Sequence, residues 1–248
     1  IIFLNASTVA TTAILLNSTS GRFPNGLGND SDQVGRNLMD HHKGLSASAT
    51  VPGFEDQYYY GRRPAPIYIP RFRNVNGQDA SFLRGYHLGG GAYRRRGTPS
   101  DTIGAPLKEA MSEPGAWGIS LYGFGECLPY ADNRITLHPE KKDRWGRPQV
   151  VADCAFRENE KAMNREIGQV AQEMLESAGF TDITVKNEIS FPGNANHEMG
   201  TARMGRDRRT SVLNAWNQMH EVSNVFITDG SCMTSGSCVD PSLSYMAL

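Results

Sequence analysis

The chain has 248 residues, 39% hydrophobic and 21% charged, a globular composition with room for one large domain or two smaller ones. Its 25 basic and 26 acidic residues give a formal net charge of −1, which excludes an overall field that would attract nucleic acid or an anionic membrane. The longest apolar stretch, IIFLNASTVATTAILL, is too short and too polar for a direct membrane span of about 20 apolar residues.

The first part of the chain predicts a strand and a helix. Residues 1–4 read as a buried strand, residues 7–17 as a helix, and the Gly-, Asn- and Ser-rich residues 18–32 as a loop. Ile1 already lies in the strand pattern, and Leu248 stops two turns into an apolar helix. We therefore expect a fragment cut at both ends.

Strand-like segments separated by Gly and Pro turns follow, and they predict an antiparallel sheet. These segments are 45–51, 65–72, 81–88 and 117–124, followed by a hairpin of 133–139 and 147–156 around the polar loop 140–146. Apolar residues at helical spacing from Met163 to Ala178 predict a helix that covers a sheet, with Gly179 placed to end it. Residues 182–189 predict one more strand.

The last segment predicts a strand over 224–228, a turn, a polar loop and a final helix. Asp240 directly precedes Pro241, so Asp240 is the expected N-cap and Pro241 the first helical residue. Asp229 and Gly230 end the strand, where open α/β sheets bind ligands. Read alone this is weak evidence, because Asp-Gly is also an ordinary turn.

Two further segments carry histidines. In NHEMGTARMG, His197 lies beside Gly200, Thr201 and Gly205, small residues that let a backbone approach a planar ligand closely. In VGRNLMDHH, the neighbouring side chains of residues 40–42 diverge and cannot all face one metal ion. We therefore expect a loop anchored by Asn37 and Asp40 there. The four cysteines also lack C-x2-C spacing, so the sequence predicts no metal site and no disulfide framework.

Taken together, five segments in order resemble the glucose–methanol–choline (GMC) oxidoreductases. They are ATTAILLNS with VGRNLMDHH, LPYADNRITLHPEKKDRWGRP, NHEMGTARMG, VFITDGS and DPSLSYMAL. The resemblance is to the C-terminal half of the family, closest to bacterial FAD-dependent sugar and polyol dehydrogenases. It implies an α/β and α+β fold: part of a Rossmann-like FAD-binding domain, and a substrate domain built on an antiparallel sheet covered by helices. The matching bounds are 1–45 for the FAD-binding part, 46–193 for the substrate domain and 194–248 for the active-site segment and the return.

The resemblance also implies chemistry. An alcohol group of a sugar or polyol would be oxidised to a carbonyl, with hydride passing to N5 of FAD and His197 acting as the base. Asp229 and Gly230 would approach the ribityl and pyrophosphate portion of FAD. Pro241 and Ser242 would present a helix N-terminus to the pyrimidine edge of the flavin.

The sequence departs from the family pattern at two places. It has no G-x-G-x-x-G phosphate loop, and the glycines at 89–91 precede no helical pattern, so we expect this chain alone to bind FAD poorly and to be inactive. The second catalytic residue of the family, His or Asn, falls on Asp240. A carboxylate there would oppose charge on the reduced flavin, donate a hydrogen bond if protonated, or pair with protonated His197.

Several alternatives stay open at this point. A catalytically impaired homologue that keeps only the fold is the second hypothesis, and a metal hydrolase is disfavoured by the ligand spacing. A dehydrogenase is favoured over an oxidase by resemblance, with a small-molecule alcohol or sugar as substrate and an electron-accepting subunit or cytochrome as partner. The sequence does not fix the compartment: the periplasm, a membrane surface reached through a partner, or the cytoplasm.

Overall fold

A computed structural model describes residues 1–57, 66–96, 99 and 101–248. Ala65, the first residue of the strand predicted over 65–72, lies outside them. The strands are β1 (Ile2–Leu4), β2 (His42–Val51), β3 (Ile67–Ile69), β4 (Tyr86–Arg96), β5 (Pro114–Gly125), β6 (Arg134–Lys142), β7 (Pro148–Asp153), β8 (Thr181–Val185) and β9 (Val225–Ile227). The helices are α1 (Thr8–Asn17), α2 (Ala105–Ser112), α3 (Glu158–Ser177) and α4 (Ser242–Ala247), with a 3₁₀ turn at Gly230–Cys232. The fold is a mixed α/β fold, as predicted.

The chain divides into two compact units. The first unit consists of residues 1–42, 125–160 and 190–248, and the second of 43–124 and 161–189. The chain leaves the first unit near the predicted boundary at 45 and returns near the boundary at 193. In addition, residues 125–160, placed by the sequence in the substrate domain, belong to the first unit. The functional names of these segments stay predictions.

In the first unit, β1 pairs in parallel with β9, with Ile2 opposite Val225 and Leu4 opposite Ile227. Behind this pair lies an apolar core that contains Leu15 of α1. The other buried members of this core are Val34, Ala202, Val212, Leu213, Met219, Val225, Ile227 and Cys232. The first unit thus joins the first helix to the last third of the chain.

A strand forms within residues 1–4, as predicted, but the prediction that it is buried is wrong. Ile2 is 50% exposed and Phe3 is 64% exposed, although both lie in β1. Within the described residues β1 hydrogen-bonds to β9 only, so one edge of β1 stays open. An apolar sequence pattern alone does not say which strand has a layer packed over it.

The second unit holds a five-stranded sheet in the order β3-β4-β5-β2-β8, with antiparallel pairing between β3 and β4 and between β2 and β8. The predicted apolar face of α3 is buried: Met163, Ile167, Val170 and Ala171 pack against the sheet, the first three beside Leu88. The glycines at 89–91 lie inside β4, so they form no phosphate loop.

The start of α3 is fixed by a buried carboxylate. One oxygen of Glu160 accepts a hydrogen bond of 2.8 Å from the backbone N–H of Arg157, just before the helix, and the other accepts one of 3.1 Å from Leu128. This is the reach of a Glu side chain back to the helix start that a capping box uses. The helix therefore begins at the hairpin that ends with β7.

Several predicted boundaries are wrong. The strand predicted from residue 81 begins at Tyr86, because the Asn74 amide donates to the carbonyl oxygens of Phe82 and Arg84 and holds that stretch as a loop. Similarly, β6 runs to Lys142 into the predicted loop, and β8 ends at Val185 instead of 189. Helix α2 was not predicted; it is only eight residues long and buries no residue.

The predicted cap of the last helix is also wrong. Helix α4 begins at Ser242 with Pro241 as its N-cap, and no side chain caps it. The carbonyl of Pro241 accepts the first helical hydrogen bonds, from Ser244 and Tyr245. Asp240 therefore lies one residue outside the cap, and its carboxylate is directed elsewhere.

Candidate active site

The loop that carries His197 is organised by the carboxylate of Asp40. One oxygen of Asp40 accepts hydrogen bonds from the backbone N–H groups of His41 (2.8 Å) and His197 (3.1 Å), and the other from those of Gly193 (2.8 Å) and Ala195 (3.2 Å). Asp40 is 2% exposed, so these four donors replace its lost hydration. The sequence predicts that Asn37 and Asp40 anchor their own loop, whereas Asp40 mainly holds the distant loop that ends at His197. The side-chain amide nitrogen of Asn37 is buried without a hydrogen-bond partner among the described residues, so its predicted anchoring role is not seen.

The backbone of that loop also explains its residue types. Gly193 has φ +92° and Asn196 has φ +60°, left-handed conformations that Gly adopts freely and Asn tolerates. Together the two turns direct three N–H groups of the loop at one carboxylate and leave His197 at the end of the loop. The side chain of His197 is 21% exposed.

His197 contacts two side chains through its two ring nitrogens. Its Nδ1 lies 3.0 Å from Nδ1 of His41, with the two rings nearly perpendicular at 86°. Its Nε2 lies 3.4 Å from Oδ1 of Asp240, whose side chain is 79% exposed. The structure therefore brings the two predicted catalytic residues together and adds His41, which the sequence placed only in a loop.

His41 and His42 are both fully buried. Burial lowers the pKa of His41, an effect opposed by its approach to the Ser237 carbonyl. Burial also lowers the pKa of His42 to about 3, and the Coulombic effect of His41 adds to this. The rings of His42 and Phe156 meet edge to face, with centroids 5.8 Å apart. Burial thus favours the neutral form of both imidazoles.

Five of the six predicted site residues line one cavity of about 280 Å³ in the first unit. Its lining residues are Asn5, Ser7, Thr8, Asn196, His197, Glu198, Asp229, Gly230, Pro241, Ser242 and Tyr245. The sixth predicted residue, Asp240, is absent from this lining and reaches the site through His197. The cavity is slightly smaller than the about 300–1,000 Å³ of typical ligand sites, which suits one part of a large ligand.

The carboxylate of Asp229 is fully engaged by the protein. Oδ1 accepts from the backbone N–H (2.9 Å) and hydroxyl (2.6 Å) of Ser231, and Oδ2 accepts from the hydroxyl of Thr11 (2.5 Å). Asp229 is the N-cap of the 3₁₀ turn that contains Gly230. Its side chain therefore fixes the shape of the turn, while the turn itself forms the wall of the cavity.

Gly230 lies where the wall is most crowded. A Cβ at this position would come within 2.5 Å of the Thr8 hydroxyl oxygen and 2.6 Å of the Glu198 carbonyl oxygen. It would also lie 3.0 Å from the hydroxyl of Tyr245, a group whose pKa is raised by burial and which therefore stays protonated. Only glycine fits between these three groups.

Polar residues of α1 that were not predicted as site residues support the site. Thr8, Thr11 and Thr12 are buried, and the Thr12 hydroxyl donates a hydrogen bond of 2.7 Å to that of Thr201. Three threonines at positions i, i+3 and i+4 on one helix face were a visible signal, because a structural apolar helix would carry Leu or Ala there.

A larger groove of about 920 Å³ lies between α1 and the turn from β6 to β7. It is lined by Val9, Ala13, Ile14, Val150 and other residues of these elements, and it contains none of the predicted site residues. We therefore place the candidate active site in the smaller cavity.

The described residues contain neither a cluster of metal-ligating side chains nor a helix that could span a membrane. No group of three or more His, Cys, Asp or Glu side chains there is arranged to hold a metal ion. None of the helices in that part of the chain has the length and apolar character needed to cross a membrane.

Residues 129–248, which contain His197, Asp229, Gly230 and Asp240, match the family model described as GMC oxidoreductase. The chain belongs to the GMC oxidoreductase family. GMC oxidoreductases are FAD-dependent flavoproteins that act on CH–OH groups. The resemblance found in the sequence is confirmed.

Two curated GMC relatives align with almost the whole chain. The 2-methyl-1,2-propanediol dehydrogenase of Mycolicibacterium austroafricanum is 31% identical over 259 residues, covering 100% of this chain and 46% of that protein. The fructose dehydrogenase large subunit of Gluconobacter japonicus is 30% identical, covering 98% of this chain and 44% of that protein. The chain thus spans just under half the length of these GMC relatives.

A solved structure supports the GMC fold. The formate oxidase of Aspergillus oryzae RIB40, described in a study of its FAD modification, superposes with a TM-score of 0.59 at 15% identity. The match covers 99% of this chain and 52% of that one. At this identity the likeness establishes the fold alone.

Proposed function

We propose that this chain is the catalytic half of an FAD-dependent dehydrogenase that oxidises an alcohol group of a sugar or polyol to a carbonyl. One observation carries the proposal: a single cavity collects His197, Asp229, Gly230, Pro241 and Ser242, all from the last quarter of the chain, with residues 5, 7 and 8 from its beginning. The named activities of the two curated relatives, both dehydrogenases of hydroxyl-bearing molecules, support the substrate class.

The cavity fits one part of FAD better than the rest. Its polar lining consists largely of neutral hydroxyl and amide groups, on Asn5, Ser7, Thr8, Ser242 and Tyr245. Such groups suit the ribityl hydroxyls and the amide-like edge of a flavin. Among the described residues, the lining includes the acidic Glu198 and Asp229 and no Lys or Arg, which favours the neutral ribityl portion over the anionic pyrophosphate. We therefore propose that Asp229 and Gly230 approach the ribityl portion of FAD and not its pyrophosphate.

Residues of this chain would hold the flavin and remove the proton of the substrate hydroxyl group. The turn at Gly230, the hydroxyls of Thr8 and Tyr245, and Ser242 would form the wall against the cofactor. When bound, FAD would supply the hydride acceptor at N5 for the hydrogen on the carbinol carbon. His197 lines the same cavity, and an imidazole is suited to take a hydroxyl proton near neutral pH.

Asp240 would assist by stabilising the protonated base. Its carboxylate oxygen lies 3.4 Å from Nε2 of His197, within ion-pair range of an imidazolium. Among the three roles that the sequence left open, this contact favours pairing with protonated His197. Because the side chain is 79% exposed, water screens the interaction and its contribution is small.

The proposed electron acceptor is another protein instead of oxygen. A relative named as the large subunit of a dehydrogenase supports a partner subunit that receives the electrons. The two alternatives are distinguished by comparing turnover with an artificial dye under nitrogen and turnover with oxygen alone. A dehydrogenase reduces the dye and consumes oxygen slowly.

The deciding experiment uses the complete gene product that carries residues 1–248. Purified protein should show a bound flavin chromophore that bleaches anaerobically on addition of a polyol or ketose. His197→Gln should keep the chromophore and bleach about 10²–10⁴-fold more slowly. His138→Gln, on β6 outside the cavity, is the matched control and should bleach at the wild-type rate.

The competing hypothesis is a homologue that keeps the fold and has lost catalysis. It predicts bound FAD that no alcohol bleaches, at any pH at which the protein is folded. That result would contradict the proposed function, and a colourless full-length protein that binds no added FAD would contradict both hypotheses.

A further inference from the structure

We propose that His41 is a positioning residue that fixes the tautomer of His197, so that Nε2 of His197 is the nitrogen that accepts the proton. The inference deepens the proposed function, since it concerns the base of that reaction. It follows from the hydrogen-bonding groups that surround the two nitrogens of His41.

Nε2 of His41 lies beside two backbone carbonyl groups. This nitrogen lies 2.8 Å from the carbonyl oxygen of Ser237 and 3.3 Å from that of Gly236. A carbonyl oxygen only accepts hydrogen bonds, so Nε2 of His41 must carry a proton.

The charge of the His41 ring decides whether its Nδ1 donates or accepts a hydrogen bond. A neutral imidazole has one protonated nitrogen, so a neutral His41 with its proton on Nε2 has an accepting Nδ1. The ring is fully buried, and burial lowers its pKa. Among the titratable groups that act on it, Asp40 favours the protonated ring and His197 disfavours it. The neighbouring His42 also interacts with it by charge. Asp40 is already engaged by four backbone N–H groups, and its Oδ1 meets the backbone of His41 instead of the ring.

The accepting Nδ1 of His41 determines which nitrogen of His197 carries the proton. The two Nδ1 atoms lie 3.0 Å apart, and one of them must donate. Because Nδ1 of a neutral His41 accepts, Nδ1 of His197 donates. A neutral His197 then carries its single proton on Nδ1, and its Nε2 has a lone pair. That nitrogen is the one on the side of Asp240, 3.4 Å away.

The consequence for the reaction is a fixed site of proton transfer. As the substrate O–H bond breaks, a new N–H bond forms at Nε2 of His197, and the ring becomes an imidazolium with Nδ1–H still donated to His41. The proton does not need to pass through His41, and no electrons are exchanged in this step. A His197 with the opposite tautomer would offer a proton to the substrate hydroxyl and could not remove one.

The tautomer can be read directly by ¹⁵N NMR of the full-length protein labelled on histidine, at about pH 8, above the ordinary imidazole pKa of about 6.5. Two-bond and three-bond proton couplings identify which ring nitrogen carries hydrogen, and His197→Gln and His41→Asn assign the signals of the two residues. We expect hydrogen on Nε2 of His41 and on Nδ1 of His197. Hydrogen on Nε2 of His197, or on both nitrogens of His41, would overturn the inference.

Two variants test the consequence for turnover. His41→Leu removes the acceptor, so kcat should fall about 10-fold with little change in KM, because the productive tautomer is still populated. His41→Asn places an amide oxygen near the position of Nδ1 and should recover most of kcat, together with the Nδ1–H signal of His197. Equal kcat values for both variants, or unchanged tautomers in His41→Leu, would contradict the proposal.

The two readouts separate this inference from the proposed function. The tautomer is measured without substrate, so a protein that no alcohol bleaches overturns the proposed function alone. Should His41→Leu fail to fold, the wild-type NMR measurement still decides the assignment.

Discussion

The hydroxyl of Thr11 donates a hydrogen bond of 2.5 Å to Oδ2 of Asp229. This bond joins the middle of α1 to the turn that follows β9, and both side chains are buried. A hydrogen bond to an ionised oxygen is about twice as strong as one between neutral groups. The pair therefore holds the wall of the candidate cavity from behind.

Thr11→Val should destabilise the protein by about 1.5–3 kcal/mol, the range for hydrogen bonds to charged groups, because it leaves Oδ2 of the buried Asp229 without this donor. The same hydroxyl also accepts from the backbone N–H of Ala6 at 3.1 Å. Denaturation by urea measures the loss. Thr11→Ser keeps the hydroxyl and should retain most of the stability, so equal losses in both variants would argue against the hydrogen bond as the cause.

Gly230→Ala should disrupt the cavity wall. The added methyl group would lie 2.5 Å from the Thr8 hydroxyl and 2.6 Å from the Glu198 carbonyl, so the turn must shift, at a cost of about 1–3 kcal/mol. Binding of FAD to the full-length protein, followed by flavin absorbance, should weaken. Gly21→Ala is the control, since a methyl group there meets nothing within 4 Å. Undiminished FAD binding by Gly230→Ala would remove this turn from the cofactor site.

Asp40→Asn should reduce both stability and turnover. The amide group has one accepting oxygen instead of two, and its NH₂ would face backbone donors, at a cost of about 3 kcal/mol. The loop carrying His197 would lose two of its backbone hydrogen bonds to residue 40. The position of His197 would then be less well defined, so kcat should fall even under conditions where the protein stays folded. Asp30→Asn, which removes only an exposed ion pair with Arg22, should change the free energy of unfolding by less than about 1 kcal/mol.

Asp240→Asn should lower kcat by less than about 10-fold, because an exposed pair with His197 is screened by water. The difference from wild type should shrink as salt is raised, since ions screen exposed charges over about 10 Å at 0.1 M. Steady-state turnover across a salt series checks this. A larger loss that ignores salt would mean that the carboxylate acts on the substrate or the cofactor directly.

Stability should fall as the pH is lowered below about 6.5. The unfolded chain takes up protons on His41 and His42 near their ordinary pKa of about 6.5. The folded chain does not, because burial lowers both pKa values, that of His42 to about 3. Each such group removes up to about 1.4 kcal/mol of unfolding free energy per pH unit between these values. His42→Gln should lower stability at pH 7.5 and flatten the slope toward pH 5, and an unchanged slope would contradict the assignment.

Part of the fold was predictable because its pattern is local. The apolar spacing from Met163 onward identified α3, and the valine and isoleucine residues of 224–228 identified β9. The bounds that failed depend on distant side chains, such as Asn74 holding residues 82–84 out of a strand. The exposure of β1 depends on its neighbours in space, which no local pattern records.

In the candidate site, too, residues in local motifs were predictable and contacts between distant segments were not. His197, Asp229 and Gly230 were found from motifs, because close approach to a ligand restricts residue types within a short segment. The link between His41 and His197 joins residues 156 positions apart, and the one from Thr11 to Asp229 joins residues 218 apart. These contacts arise only when the first and last segments of the first unit come together.

The parallel pairing of β1 with β9 has a consequence for synthesis on the ribosome. Val225 is translated more than about 200 residues after its partner Ile2. All segments of the second unit are complete before Val225 is made, so that unit can fold first. We expect the pairing of β1 with β9 to be a late and slow step of folding.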